Sequence, residues 1–257
     1  MVAIATQIYR PILHSSSLNE IDSAAEYFMR RITFLNKSRR SQGLSDVSRW
    51  TIFSLLEPEF VDNIRIALVF GSSANEALIV TRDDKVCGIG SNTNSCLGLG
   101  NGQSSLEPIV VECLCGRGLV SLVYGCGPHI LALTEQGEVF SWGHNGHGQL
   151  GAFPLNKNSV VSNRYGNGSI GYTPTPVTTN LSNYRVTQIA CGSYHSLALT
   201  ESGEVLAWGA NANGQVGSGN NTNQQAPKKV GCTIGNLFIR YIACGQTSSF
   251  AVSDNGE

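Results

Sequence analysis

The sequence predicts an all-β fold of the β-propeller type, built from repeated hairpins. A segment of 29 residues from Val123 recurs from Ile189 with 15 identical positions, and further partial copies keep a period of 53 residues. The copies alternate short apolar runs with Gly turns, and the chain contains 29 Gly but only 8 Pro. A repeat of about 50 residues made of short strands is typical of a propeller blade, which is a four-stranded antiparallel sheet.

The first 49 residues lie outside the repeats and are predicted to form a partly helical extension. Apolar residues recur with helical spacing between Leu18 and Leu35, and Ser17 with Glu20 matches a capping box. We expect this helix to pack on its own domain, with docking to a partner or a membrane surface as the alternative. The first 19 residues contain no acid and include Arg10, so a transit peptide stays open beside a disordered leader.

The propeller repeats are predicted to occupy residues 50–257. The copies span about 69–122, 123–188 and 189–241, and a further copy from 242 stops within its hairpin. In each copy two short strands flank a turn, which predicts a β-hairpin. About three and a half blades are therefore expected, with an open sheet edge at the end of the row. Such an arrangement indicates a fragment or a short isoform.

One loop is predicted to be longer than its counterparts. Pro108, Pro174 and Pro227 recur in step with the glycines, but the spacing of the second and third copies exceeds the period by 13 residues. The extra residues must lie between Gly151 and Pro174. Because this stretch is rich in Asn, Ser and Gly, we predict an inserted loop.

Several residues recur at one repeat position each and are predicted to support the fold. Glycine at a turn indicates a backbone with positive φ, and aromatic residues at the end of the second strand of a hairpin are expected in the core. The repeated positions are Gly90, Gly137, Trp142, Gly143, Gly203, Trp208 and Gly209. Asp84 stands at the turn position in the first copy.

The sequence contains no motif that predicts a catalytic, cofactor-binding or metal site. Cys113 and Cys115 lack the two-residue spacer and the second pair that make a zinc site convincing. His129 and His195 share one repeat position, so a structural hydrogen bond is expected there in place of acid–base chemistry. We therefore predict a protein that is not an enzyme and uses no cofactor.

Polar loop residues that break the repeat are the candidates for partner binding, because recognition residues are often carried on the loops of a rigid scaffold. His144 and His147 are replaced by Ala210 and Asn213 in the next copy. The candidate residues are His144, Asn145, His147, Asn163, Arg164 and Tyr165, the last three within the inserted loop.

The repeats resemble those of a known family. The segments "GEVFSWGHNGHGQLG" and "GEVLAWGANANGQVGSG", with "ACGSYHSLALT" before the second, are similar to repeats of the regulator of chromosome condensation family, whose parent fold is a seven-bladed propeller. The stretch from Trp50 to Glu257 resembles more narrowly the proteins that join these repeats to a C-terminal BTB domain. No BTB segment is present in this sequence.

The resemblance implies a protein-interaction module. In the BTB-linked proteins the propeller holds a protein client and the BTB domain recruits a cullin ubiquitin ligase, so this chain would supply the client-binding part. The alternative is guanine-nucleotide exchange on a small GTPase, which is the activity of the founding member. A net charge of −1 argues against nucleic-acid binding, and no apolar window is long enough to span a membrane. We expect an intracellular protein of the cytoplasm, the nucleus or both.

Overall fold

The chain folds into a row of β-sheets, which confirms the all-β prediction. The computed structural model describes residues 3–4, 56–71, 74–92, 94–125, 127–151, 160–162, 169–231 and 237–255. The predicted helix at residues 18–35 and the candidates Asn163, Arg164 and Tyr165 lie outside these ranges.

The first sheet has five strands in the order β1–β2–β3–β4–β5. β1 (Ala3–Ile4) pairs in parallel with β2 (Ile64–Phe70), which continues into an antiparallel meander through β3 (Glu76–Thr81), β4 (Val86–Gly90) and β5 (Ser105–Val110). The four antiparallel strands form the unit that the repeat predicts. β1 is an addition from the N-terminal segment.

The second sheet has the strand order β6–β7–β8–β10–β9. It consists of β6 (Leu119–Gly125), β7 (His129–Thr134), β8 (Val139–His144), β9 (Val160–Ser162) and β10 (Ser169–Pro176). β9 belongs to the insertion, for which the sequence predicts loop structure throughout. That prediction is wrong at these three residues, because they pair with β10 and add a fifth strand to the sheet edge.

The remaining strands form one complete and one two-stranded sheet. Their strands are β11 (Val186–Cys191), β12 (His195–Thr200), β13 (Val205–Gly209) and β14 (Gln224–Lys229), followed by β15 (Ile239–Cys244) and β16 (Ser249–Ser253). The described helices are short: α1 covers Pro58–Asp62, and a single 3-10 turn covers Glu112–Leu114.

The sheets are arranged like the blades of a propeller. The first strands of successive sheets, which are β2, β6, β11 and β15, contact one another in turn. The last strands β5 and β14 carry mostly exposed or half-buried residues, whereas every residue of β3, β7 and β12 is buried. The first strands therefore lie innermost and the last strands outermost, which is the radial order of a blade.

The apolar core lies between the sheets. Leu131 and Leu133 of the second sheet pack with Leu206 and Trp208 of the third, and similar clusters join the first sheet to the second and the third to the fourth. In β12, Ser196 and Ala198 are as buried as Leu197 and Leu199. The apolar–polar alternation in the sequence does not mark a solvent face here, because neighbouring sheets cover both sides of this strand.

Trp142 links the second sheet to the first, and Trp208 links the third sheet to the second. Both indole rings are fully buried. The Trp142 Nε1–H donates to the backbone oxygen of Cys96 over 2.7 Å, and the Trp208 Nε1–H donates to the backbone oxygen of Gln149 over 2.8 Å. Both acceptors lie in the long loop of the preceding sheet, so each tryptophan fills the core and also fixes a neighbouring loop.

The repeated glycines occupy two kinds of position. Gly137 and Gly203 lie in tight turns with φ of 84° and 77°, where Asp84 has φ of 59°. Gly90 and Gly209 are the last residues of β4 and β13, and Gly143 is the last but one of β8, with φ of 125°, 100° and 99° respectively. A Cβ atom at Gly209 would lie 2.4 Å from the backbone oxygen of Tyr194, so this position requires both the conformation and the small size of glycine.

We expect Gly209→Ala to destabilise the fold by roughly 1–3 kcal/mol from backbone strain alone, and by more from the clash with Tyr194. Gly231→Ala is the matched control, because nothing lies within 4 Å of a Cβ atom built there. Urea unfolding of both variants gives the difference. Equal free energies of unfolding would contradict the interpretation.

Candidate interaction surface

One end of the sheet row carries the loops that join first to second strands and third to fourth strands; we call it the loop face. An asparagine opens the long loop of each complete sheet. Its Oδ1 accepts the backbone N–H five residues further on, over 3.1 Å from Leu97 to Asn92, 3.0 Å from Leu150 to Asn145 and 2.9 Å from Val216 to Asn211. These bonds hold the loops in one shape.

Asn145 therefore has a structural contact that the sequence-based interpretation missed. It was predicted only as a partner-binding residue, but its side chain closes its own loop as Asn92 and Asn211 do. The signal was present in the sequence, because the three asparagines recur with the same spacing as the glycines.

The two predicted loop histidines meet a tyrosine from the next sheet. The ring centroid of Tyr194 lies 5.0 Å from that of His147 and 5.8 Å from that of His144, with tilted ring planes. Tyr194 is 40% exposed. We call these three residues the aromatic cluster. It lies on the loop face where the second and third sheets meet.

Hydrogen bonds orient both imidazole rings. His144 Nδ1 accepts the backbone N–H of Gly146 over 3.3 Å and lies 2.9 Å from Gln149 Nε2. His147 Nδ1 lies 3.3 Å from the Nδ2 atom of Asn223. Amide nitrogens are donors, so Nδ1 is the acceptor in both rings and Nε2 carries the proton. The cluster thus combines two imidazole Nε2–H donors with the tyrosine ring.

Tyr194 was missed by the sequence-based interpretation. It does not recur: Asn75, Pro128 and Thr247 stand at the equivalent positions. Its ring lies over Gly127, where a Cβ atom would be 2.5 Å from Tyr194 Cε1 and 1.9 Å from the backbone oxygen of Ser193. A search for every non-repeated aromatic residue, in addition to the histidines, would have found it.

The repeated histidines have a different role and lie inside the protein. His129 Nδ1 lies 2.7 Å from the backbone oxygen of Gly127, and its Nε2 lies 3.0 Å from the Ser196 hydroxyl of the next sheet. His195 repeats this contact, with Nε2 3.0 Å from the Ser249 hydroxyl. Burial lowers the pKa of both histidines to about 4, so both are neutral at pH 7. These contacts join sheets, in agreement with the structural hydrogen bond expected from the sequence.

The described cysteines are free thiols. Burial raises the pKa of Cys87 to about 11 and that of Cys244 to about 12, which leaves almost no thiolate at neutral pH. Among the described residues, no group of three or more His, Cys, Asp or Glu is placed to hold a metal ion. In the same part of the chain, no helix has the length and apolar character needed to cross a membrane.

The comparison with protein families identifies one type of repeat in part of the chain. Residues 136–199 and 202–252 match the family model of the "Regulator of chromosome condensation (RCC1) repeat", and residues 186–215 match a second model of that repeat. The region between residues 136 and 252 therefore matches RCC1 repeats, and the sheets of this region have the strand order of propeller blades.

Individual relatives match different shares of the chain. "Ultraviolet-B receptor UVR8" of Arabidopsis thaliana is 33% identical over 194 residues, which is 75% of this chain and 40% of the relative. "RCC1 domain-containing protein RUG3, mitochondrial", also from Arabidopsis thaliana, is 41% identical over 127 residues, 49% of this chain and 25% of the relative. Human "E3 ubiquitin-protein ligase HERC2" is 33% identical over 205 residues, 77% of this chain and 4% of the relative. The chain thus spans less than half the length of each relative.

Solved structures show the same fold. The crystal structure of Prp20p from Saccharomyces cerevisiae, reported with its binding properties to Gsp1p and histones, superposes with a TM-score of 0.62 at 22% identity and covers 75% of this chain and 45% of Prp20p. Human WBSCR16 superposes with a TM-score of 0.59 at 23% identity, covering 76% and 46% of the two chains. These likenesses establish the fold and leave the BTB-linked subgroup as a prediction.

Proposed function

We propose that the chain is a protein-interaction module that acts by binding a client, without catalysis, and that the aromatic cluster is the centre of the binding surface. The observation that carries the proposal is the convergence of Tyr194, His144 and His147 on the loop face. None of the three recurs at its repeat position, so the scaffold does not require them.

The chemistry of the cluster suits protein recognition. Tyrosine is enriched in the cores of protein interfaces, where its ring supplies contact area at a low entropic cost. The half-buried histidines flank Tyr194 and limit its rotation. An aromatic side chain held in place before binding loses little freedom in the complex, which favours affinity.

The residues at the equivalent positions of the third and fourth repeats supply the substitutions that test this proposal. His144→Ala and His147→Asn give the second loop the residues of the third at these positions, and Tyr194→Thr introduces the residue at position 247. The backbone N–H of His147 and that of Asn213 both donate to a glutamine Oε1 over 2.9 Å, so the loop closes with either residue. We expect the triple variant to fold and to lose at least about tenfold in client capture, as for a hot spot of about 1.4 kcal/mol or more.

Quantitative affinity purification of the full chain measures this loss, with thermal unfolding as the check on folding. Leu106→Ser is the matched control, because Leu106 is 81% exposed on the outer strand β5 and lies away from the cluster. A folded triple variant that retains every protein bound by the unmodified chain would disprove the proposal.

The finer proposal is that this module is the client-binding part of a BTB-type ubiquitin-ligase adaptor. The sequence resemblance to BTB-linked proteins supports it. The likeness to "E3 ubiquitin-protein ligase HERC2" adds a second link between these repeats and ubiquitin transfer. Co-purification of a cullin with the full protein, together with a rise in client level when the protein is removed, tests the proposal. A client whose level and ubiquitination do not change would contradict it.

Guanine-nucleotide exchange on a small GTPase is the alternative function. The fold shared with Prp20p, which is reported with its binding to Gsp1p, supports this candidate. Release of a fluorescent nucleotide from a panel of small GTPases distinguishes the two functions. Accelerated release would favour exchange, and unchanged release with retained client capture would favour the adaptor.

For location, we propose the cytoplasm, the nucleus or both. The name of RUG3 includes "mitochondrial", so the transit-peptide interpretation of the first 19 residues is the competing one. Microscopy of the full chain with a C-terminal fluorescent tag separates them. A mitochondrial signal that disappears when residues 1–19 are deleted would overturn the proposed location.

A further inference from the structure

Among the described loops, the charged residues lie at one end of the sheet row and not at the other. The described parts of the loops on the loop face contain no Asp, Glu, Lys or Arg. These loops lie within residues 71–75, 91–104, 126–128, 145–168, 192–194, 210–223 and 245–248, and the fourth of these stretches includes β9. Lys157 and Arg164 belong to the insertion and lie outside the described residues. Glu76, at the start of β3, is buried.

The opposite end of the row is rich in charge, and its loops pair with one another. Five ion pairs lie there among the described residues, including Arg65 with Asp84 and Lys229 with Glu204. The other three join Lys85 to Asp83 over 3.0 Å, Arg117 to Glu138 over 3.9 Å and Arg185 to Glu201 over 3.9 Å. All six of these side chains are largely exposed. The net charge of the chain is −1, and in the part of the chain that the structure describes the charged loop residues are concentrated at one end of the sheet row.

The loop face is one continuous surface. The Cys96 thiol lies 3.2 Å from the backbone oxygen of Pro128, which joins the first and second sheets. The aromatic cluster and Asn223 join the second and third sheets, and the backbone N–H of Ser193 donates to Gln246 over 2.9 Å across the next boundary. A partner can therefore contact loops of several sheets without meeting an Asp, Glu, Lys or Arg in their described parts.

An uncharged surface selects its partner through desolvation. A charged side chain that is buried against it loses its hydration and finds no opposite charge, which is costly. Amides, hydroxyls and aromatic rings can instead exchange hydrogen bonds with the loop amides and pack on the cluster. Charge therefore neither steers association here nor strengthens the complex.

We infer that the loop face binds a protein whose contact surface is itself uncharged, presenting neutral polar and aromatic groups, and that salt has little effect on the complex. This inference rests on the proposed function and adds the chemistry of the partner. It also implies that the client does not contact the charged end of the sheet row.

The test introduces charge of either sign at one exposed position. Asn213 is exposed on the loop face, in the repeat position of His147. The immobilised full chain is incubated with nuclease-treated total protein extract at pH 7.5, and the proteins that the triple cluster variant fails to capture are quantified. We expect Asn213→Asp and Asn213→Lys each to reduce capture of these proteins at least about fivefold. Raising NaCl from about 0.05 M to 0.5 M is expected to change capture less than about twofold.

Asn183→Asp and Asn183→Lys are the matched controls, since Asn183 is an exposed asparagine of the charged end. We expect neither to change capture. Opposite responses to Asp and Lys at position 213, release by salt, or an equal loss from the position 183 variants would each overturn the inference while leaving the proposed function intact. Failure of the proposed function is a different result, in which the triple cluster variant captures the same proteins as the unmodified chain.

Discussion

Trp208→Ala is expected to lower the free energy of unfolding by about 3–5 kcal/mol, the usual cost of removing a large buried aromatic side chain. The Trp208 ring is fully buried between the second and third sheets, in the cluster that includes Leu131 and Leu206. Its removal leaves a cavity and breaks one of the two hydrogen bonds that the backbone oxygen of Gln149 accepts, while the bond from the Ser196 hydroxyl remains. Urea denaturation followed by circular dichroism measures the loss.

Trp208→Phe separates the two contributions. Phenylalanine keeps most of the apolar contact but cannot donate to Gln149, so we expect an intermediate loss that includes about 0.5–1.5 kcal/mol for the hydrogen bond. Leu106→Ser serves as the surface control, because Leu106 is 81% exposed. A Trp208→Ala protein as stable as this control would show that the sheets do not pack as described.

Acid is expected to destabilise the fold well above the pH at which exposed carboxylates are protonated. Burial lowers the pKa of His129 and His195 to about 4 in the folded protein, whereas a histidine of the unfolded chain has its ordinary pKa near 6.5. Below pH 6.5 the unfolded state therefore binds protons that the folded state excludes. The stability is fully present above pH 6.5 and is lost as the pH falls towards 4.

The full effect is about 3 kcal/mol per histidine, of which about 2 kcal/mol falls between pH 7 and pH 5. Urea midpoints at half-unit pH steps measure it. His129→Gln together with His195→Gln should flatten the slope in this window, and the surface variant Leu106→Ser should leave it unchanged. A slope of zero in the unmodified protein would contradict the burial of these two histidines.

The sequence predicts the scaffold well because the scaffold repeats. Trp142 and Trp208, for example, occupy one position in successive copies, and in the structure they make the same hydrogen bond to the preceding sheet. A residue that recurs at the same position in successive repeats serves the fold of the blade, and this role does not depend on which client is bound. The same logic explains why Asn145 belongs with Asn92 and Asn211 among the loop-closing residues.

The proposed binding surface was only partly predictable. His144 and His147 stand out because they break the repeat, but the tyrosine that completes the cluster comes from another sheet, and the sequence gives no distance between them. β9 was missed for a related reason. Its sequence is short and lies in an Asn-rich insertion, and its pairing with the outer edge of β10 is a tertiary contact.

The charge segregation could have been predicted once the strand order was known. In an antiparallel meander, alternate loops lie at the same end of the sheet. The uncharged loops and the charged turns alternate along the chain, with "RDDK", "EQGE" and "ESGE" each following the second strand of a unit. The separation of charged turns from uncharged loops can be recognised only after the strands are assigned. Until then, the sequence does not show which loops lie at the same end of a sheet.

The most direct test of the account is site-specific photocrosslinking at the aromatic cluster. A photoreactive phenylalanine analogue replaces Tyr194 in one protein and the exposed Asn183 of the opposite end in another. We predict a crosslinked client from position 194 and none from position 183, after irradiation in total protein extract. Crosslinks of equal yield at both positions, or from position 183 alone, would contradict the assignment of the loop face as the binding surface.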